Sequence, residues 1–394
     1  MTGSGWKQCT MGEVATFQRG FDLPATIRQP GNVPVISSAG ITGYHNEHKV
    51  KGPGVVTGRY GSIGEVFYIE KNFWPLNTAL WVNDFHGNDP EFVALLAGTL
   101  DLTKLSGKTG VPGVNRNDIH ELSVSIPRLA EQKEFVAIVR KWKDAIRLTE
   151  HKIACMRRYQ KTVVQQLLTG KQRFTRFVKS TATNKTRWLD VPCDWQYPPL
   201  AELAASRSKR NRDKQDLPVL SCTKHRGLVD SLEYFGKQVF SKDLSAYKVV
   251  EVNQFAYATN HIEEGSIGYQ SQYDAAIVSP MYTVFETNDR ISDGYLLLLL
   301  KTELYRHIFE VNTSKSVDRR GSLRWDTFSR IHVPLPSLAE QQAIVRLSHV
   351  FEQEMSLLQQ QLQAYRAQKK GLVTQLLGGK VRLDRSCPPG RKAG

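Results

Sequence analysis

Pro127-Arg-Leu129-Ala130-Glu131-Gln132 and Pro336-Ser-Leu338-Ala339-Glu340-Gln341 open two stretches of the chain that repeat one another. Residues 127–174 align with residues 336–383 without a gap, at a constant offset of 209, and sixteen of the 48 pairs are identical. The copies also close alike, on Gln166-Leu-Leu-Thr-Gly170-Lys171 and on Gln375-Leu-Leu-Gly-Gly379-Lys380. Agreement at both ends under one offset marks an internal duplication.

Between those ends the pattern is helical. Apolar residues recur in steps of three and four at Phe135, Ile138, Trp142, Ala145, Ile146, Ile153, Met156, Val163 and Leu167. In the second copy they fall at Ile344, Leu347, Phe351, Met355, Leu358, Leu362, Tyr365, Leu372 and Leu376. Stripes of this kind need a partner helix to cover them. Each helix should run for about forty residues, roughly 60 Å at 1.5 Å per residue, and Gly170 and Gly378-Gly379 are natural stops. A polar residue interrupts both stripes at matching places, Gln160 and Lys369. Either the seam is solvated there, or a polar contact fixes its register.

The spacing predicts two long helices packed antiparallel as a coiled-coil spacer, with an approximate two-fold axis relating the halves of the chain. The expected organisation is a globular domain over 1–126, a helix and linker over 127–180, a second domain over 181–335, a second helix over 336–383 and a flexible tail over 384–394. The globular parts match faintly. Gly12-Glu-Val-Ala15 parallels Ala201-Glu-Leu-Ala204, Val33-Pro-Val-Ile-Ser37 parallels Leu217-Pro-Val-Leu-Ser221, and Arg116-Asn-Asp118 parallels Arg324-Trp-Asp326.

The formal net charge of +15 favours a polyanionic partner, nucleic acid first. Two different domains set at a fixed spacing suit a duplex with two unlike half-sites. Loops that mix Arg or Lys with Ser, Thr, Tyr and Asn can hold phosphates and reach base edges. On that ground the candidate DNA-binding residues of the first domain are Arg59, Tyr60, Ser62, Lys108, Thr109, Asn115 and Arg116. Those of the second are Lys209, Arg210, Arg212, Lys224, Arg226, Lys315, Arg319 and Arg320, within clusters that also hold Arg207, Lys214 and His225. The first helix is basic on its outer positions, at Arg140, Lys141, Lys143, Arg147, Lys152, Arg157, Arg158 and Lys161. Those charges serve either solubility or the phosphate backbone between half-sites.

No apolar run approaches eighteen residues; the longest, Leu296–Leu300, reads as a short buried helix. The N-terminus has no basic region followed by a hydrophobic one. Five scattered cysteines at no metal or CxxC spacing fit a reducing cytoplasm. Gly58–Gly64 has GxxGxxG spacing and is followed by a strand, so a turn between strands accounts for it better than a nucleotide loop. Gly107-Lys108-Thr109 copies the end of a phosphate loop, but Leu102 stands where its first glycine would be. His45 and His48 read as surface residues, and His225 and His261 as isolated. The repeated Leu129, Glu131, Gln132 and Leu338, Glu340, Gln341 are candidate docking residues for two copies of one partner, or simply helix starts favoured by the helix dipole.

These features together resemble the specificity (S) subunit of type I restriction-modification systems. The repeated Leu-Ala-Glu-Gln starts and Gln-Leu-Leu-x-Gly-Lys ends carry the resemblance. So does Arg59-Tyr-Gly-Ser-Ile-Gly64 followed by Trp74-Pro-Leu-Asn-Thr78. In the second domain, Gly265-Ser-Ile-Gly268 keeps the turn without the arginine. The resemblance implies two mixed α/β target-recognition domains reading a bipartite double-stranded DNA target, and no catalytic residue or metal in this chain. It also implies two modification subunits that methylate adenine N6 and two restriction subunits. S-adenosylmethionine, ATP and Mg would sit on those partners. The alternatives are an S-like module of a methylating endonuclease outside type I, and a free-standing DNA-binding regulator.

Overall fold

The structure is a computed structural model that describes residues 6–105, 113–313 and 321–379. It divides into two compact units. One holds the described residues up to His151 together with those from Gln359 onward; the other is Lys152–Leu358. The expected tail over 384–394 lies outside the described residues.

In the first unit a four-stranded antiparallel sheet runs in the order Thr16–Arg19, Ala79–Asp84, Gly54–Gly58, Val66–Ile69. A second sheet runs Gly40–His45, Val33–Ser37, Trp74–Pro75, with its last pair parallel. The strand Gly54–Gly58 is buried along its whole length because both of its faces are covered. Side chains alternate across a sheet. Val55 accordingly enters a core with Phe17, Leu80, Phe92 and Leu96, whereas Val56 enters another with Ile36, Phe73 and Trp81. Phe92 and Leu96 belong to the helix Pro90–Ala97, which Asp89 caps by accepting from the amides of Glu91 and Phe92. The unit is thus layered helix, sheet, sheet. Lys7–Thr10 pairs with Ser123–Ile126 and delivers the chain to the first long helix.

The second unit repeats this order. Its antiparallel sheet runs Ala204–Arg207, Tyr282–Thr287, Phe255–Ala258, Ile267–Tyr269. Its other sheet runs Gly227–Asp230, Val219–Thr223, Ala275–Val278, Lys248–Glu251, again with one parallel pair. Phe255 and Tyr257 face the helical core, and Ala256 faces the second sheet. The leucine run becomes the buried helix Asp293–Leu300. The faint pairing of the two globular parts is therefore a shared topology. The Arg-x-Asp match is one position out of register, since Asn115 and Arg324 are the residues preceding the equivalent short helices Arg116–His120 and Trp325–Phe328.

The repeats form helices of 40 residues each, Leu129–Leu168 and Leu338–Leu377. Gly170 and Gly379 both take left-handed φ just beyond them. In the first unit Phe135 and Leu376 share a core, Trp142 stacks edge-on to Tyr365 at 5.7 Å, and Arg366 bonds Glu150 at 2.6 Å. In the second unit Tyr159 meets Phe351 at 5.6 Å, and Leu167 and Leu168 share a core with Ile344. Rising numbers on one helix thus meet falling numbers on the other within each unit, an antiparallel pairing. The buried face is broader than the expected stripe, taking in Val136, Val139, Val164 and Leu168 as well. Val136 packs in the core of the first domain, and Val164 and Leu168 pack in that of the second.

Candidate nucleic-acid interface

The loop after Gly58 is held by backbone rather than side chains. The amides of Arg59 and Tyr60 both donate to the Thr78 carbonyl, at 3.0 and 3.3 Å, which joins the Trp74–Thr78 motif to the loop. The Val114 amide donates to the Arg59 carbonyl at 2.9 Å. Gly113 lies against the Tyr60 ring so closely that a Cβ there would sit 2.4 Å from it. At Gly58 a Cβ would fall 2.0 Å from the Ser62 carbonyl oxygen. The Arg59 guanidinium stacks over the Tyr60 ring at 4.5 Å. Asn115 accepts from the Asn117 amide and caps the helix that begins at Arg116. Arg59, Tyr60, Ser62, Asn115 and Arg116 are therefore gathered on one rim, and all except half-buried Arg59 are exposed. Lys108 and Thr109 lie outside the described residues.

In the second domain the Leu323 amide donates to the Thr259 carbonyl at 2.9 Å, the counterpart of the Val114–Arg59 bond. Thr259 thus stands where Arg59 stands, and its hydroxyl is spent on the Met281 carbonyl. The loop continues through a 3-10 turn, Ile262–Glu264, to Gly265 at φ +96°. His261 is not isolated, since its Nδ1 lies 3.4 Å from a Glu264 carboxylate oxygen. His261, Glu263 and Glu264 are the one group with metal-ligating spacing among the described residues. Lys224, His225 and Arg226 form the tip of the hairpin between Val219–Thr223 and Gly227–Asp230. The Arg226 guanidinium lies 5.9 Å from the centre of the Tyr234 ring.

The basic residues of the second domain do not form one cluster. Arg210 bridges to Lys248, whose strand is one edge of the second sheet, while the Lys224–Arg226 hairpin includes the opposite edge strand. Lys209 pairs with Glu251 at 2.7 Å and Arg207 with Glu286, and Arg212 is exposed. Lys315, Arg319 and Arg320 lie outside the described residues. Several charges expected on the outside of the first helix are also paired. Arg140 and Lys143 both hold Glu91 at 2.6 and 2.7 Å, Lys152 pairs with Glu354, and Lys161 pairs with Glu303. Burial pushes the Glu91 carboxyl up, but the bonds from Lys143 and Arg140 outweigh it and hold it below its ordinary value. Lys369 lines a groove with Lys143 and Glu91. Burial, then the nearby Lys143 charge, lower its pKa.

The repeated helix starts point inward. The Gln132 amide oxygen accepts from the Asp89 amide at 2.9 Å, and its nitrogen donates to Asn88 and the Pro127 carbonyl. Gln341 does the same in its own domain, accepting from the Ser292 amide at 2.7 Å and donating to the Arg290 and Pro336 carbonyls. Glu131 accepts from the Trp6 indole at 3.2 Å, and Glu340 from the Trp195 indole at 3.1 Å. Glu340 also holds Arg173 through both carboxylate oxygens at 2.9 Å. Gln132, Glu340 and Gln341, expected as docking residues, are 0–2% exposed, with their polar atoms engaged inside their own domains. Half-buried Glu131 is likewise engaged. Leu129 and Leu338 remain exposed, at 42% and 43%. The reading of His45 as a surface residue is corrected. It is buried on strand Gly40–His45, accepts from the Gln29 amide and meets the Trp74 ring edge-on at 5.3 Å. His120, which the sequence did not single out, accepts from the Phe17 amide; burial, then Arg116 and His86, lower its pKa.

Among the described residues no helix is long and apolar enough to cross a membrane. The fold is similar to three solved structures. One is the S subunit of a type I restriction-modification system from M. genitalium, with 16% identity, 96% of this chain and 97% of that chain covered, and a TM-score of 0.54. A second is from work on complex assembly and conformational transition of the type I R-M system, with 14% identity, 96% and 98% coverage, and a TM-score of 0.58. The HsdS subunit from Thermoanaerobacter tengcongensis matches at 14% identity, 96% and 98% coverage, and a TM-score of 0.53. The family described as "Type I restriction modification DNA specificity domain" matches residues 3–155 and again residues 192–364, once for each copy of the duplicated unit. The expected DNA-specificity role agrees with that description. On this double match the chain belongs to the type I restriction-modification DNA specificity family.

Proposed function

We propose that each globular domain reads one part of a bipartite, asymmetric DNA target, and that the two long helices fix the spacing between the parts. Modification subunits that methylate adenine N6, with restriction subunits added, would supply the chemistry together with S-adenosylmethionine, ATP and Mg. The observation that carries this reading is a single scaffold built twice with different chemistry at equivalent loops. Where the first domain carries Arg59 stacked on Tyr60, the second carries Thr259 followed by Glu263 and Glu264. The hairpin that bears Ser38 and Ala39 in the first bears Lys224, His225 and Arg226 in the second. Equal frames with unlike loops suit unlike half-targets, because the frame positions and the loop side chains specify.

Two exposed leucines on each long helix support partner docking at equivalent places: Leu129 with Leu338, and Leu148 with Leu357, the latter 63% and 64% exposed. Each pair is identical across the repeat. Matched apolar exposure is what two copies of one partner would require. The test is co-purification with the products of neighbouring genes, followed by mapping of methylated adenines in DNA treated with the complex. A two-part motif methylated only when this chain is present supports the reading. A chain that purifies alone, binds DNA tightly and directs no methylation would overturn it in favour of a regulator.

A further inference from the structure

The second domain contains a half-buried lysine that the reading above leaves without a role. Lys301 is the C-terminal cap of the helix Asp293–Leu300. Its ammonium donates to two backbone carbonyls, Gly265 at 2.7 Å and Lys224 at 3.2 Å. Gly265 belongs to the loop that stands where Arg59–Gly64 stands in the first domain, and Lys224 to the tip of the neighbouring hairpin. Burial lowers the Lys301 pKa, and no carboxylate pairs with it among the described residues. An ammonium held this way carries a desolvation cost that the carbonyls it binds help to offset.

The two loops are fitted to each other at their bases as well. A Cβ on Gly268 would lie 2.4 Å from the Leu228 amide nitrogen, and Gly227, at φ +68°, would meet the Gly268 Cα. The Arg306 Nε adds a bond to the Glu263 carbonyl at 3.1 Å. Because Lys301 binds carbonyls, it fixes the backbone of both loops and leaves the Lys224, His225 and Arg226 side chains exposed. At the equivalent position in the first domain the helix Pro90–Ala97 is capped by Gly98, which has no side chain to make such a link.

We infer that Lys301 is a positioning residue for target reading in the second domain, locking the hairpin tip to the adjoining loop so that both present one surface to the DNA. This rests on the bipartite reading above. The test replaces Lys301 with Met in the full chain, assembled with its methyltransferase partners, and maps methylated adenines. Melting temperature is measured alongside. The expected result is relaxation of one part of the motif, with methylation at sites altered there rising about tenfold, while the other part keeps its wild-type preference. Lys301→Arg, which retains N–H donors and charge, is expected to keep both preferences. Wild-type reading of both parts by Lys301→Met would overturn the inference. So would equal relaxation of both parts, or failure to assemble, since either would mark Lys301 as a residue that only holds the fold. A wild-type chain that directs no bipartite methylation would overturn the reading of the whole chain, an outcome distinct from these.

Discussion

At the residue scale, the repeated glutamate and glutamine are latches between each long helix and its own domain. Gln132 and Gln341 each satisfy the amide of the residue that caps a helix of their own domain, and both side chains are buried. Replacing either with alanine should destabilise the protein by about 1–3 kcal/mol, measured by urea denaturation; a change of a few tenths would contradict the latch. Arg59→Ala should weaken binding to the intact target by about 1–3 kcal/mol more than binding to unrelated DNA, measured by titration of labelled duplexes. Equal loss on both would assign Arg59 to phosphate. The sequence made the Glu-Gln pair visible through its repetition but not its direction, because identity between copies is equally expected of an inward latch and an outward dock. Arg59 was legible from its glycine-rich loop, whereas its replacement by Thr259 needed the backbone bonds that define equivalence.

At the scale of elements, the limits of both long helices were readable, since a 3.6-residue pattern ending in glycine is a local signal. Gly371 is the exception inside a helix, and a Cβ added there meets nothing within 4 Å. Gly371→Ala should therefore stabilise the protein by about 0.5–1 kcal/mol, read as a rise in melting temperature; a fall would show a contact that the structure lacks. The strands were harder to read. Val33–Ser37 pairs in parallel with Trp74–Pro75, nearly forty residues on, and no local pattern announces such a partner. Ion pairs at the helix-to-domain contact and just beyond the first helix supply a pH dependence. The bond from Arg173, foremost, holds the Asp194 carboxyl below its ordinary 3.8, and Glu91 is held below its ordinary 4.5. Depressed carboxyls stabilise the fold fully above their unfolded values and lose that contribution as pH falls through the folded ones. Melting temperature should therefore hold steady near neutrality and decline below about pH 4.5, with a shallower decline in Glu91→Gln. An unchanged slope in that variant would remove Glu91 from the account.

At the scale of the whole molecule, the duplication organises everything else. Two copies of one layered domain and one long helix account for the double family match, the paired latches and the antiparallel contacts within each unit. In the proposed function, the net charge of +15 would supply attraction to DNA without sequence preference, and specificity would rest on the loops where the copies differ. The most direct test of that division exchanges the first globular domain, residues 1–126, for the corresponding domain of another family member and maps methylated adenines in cells carrying the partner subunits. One part of the motif should change to that of the donor, while the other part and the spacer length stay as they were. A change in both parts, or in neither, would contradict the claim that each domain reads its own part of the target.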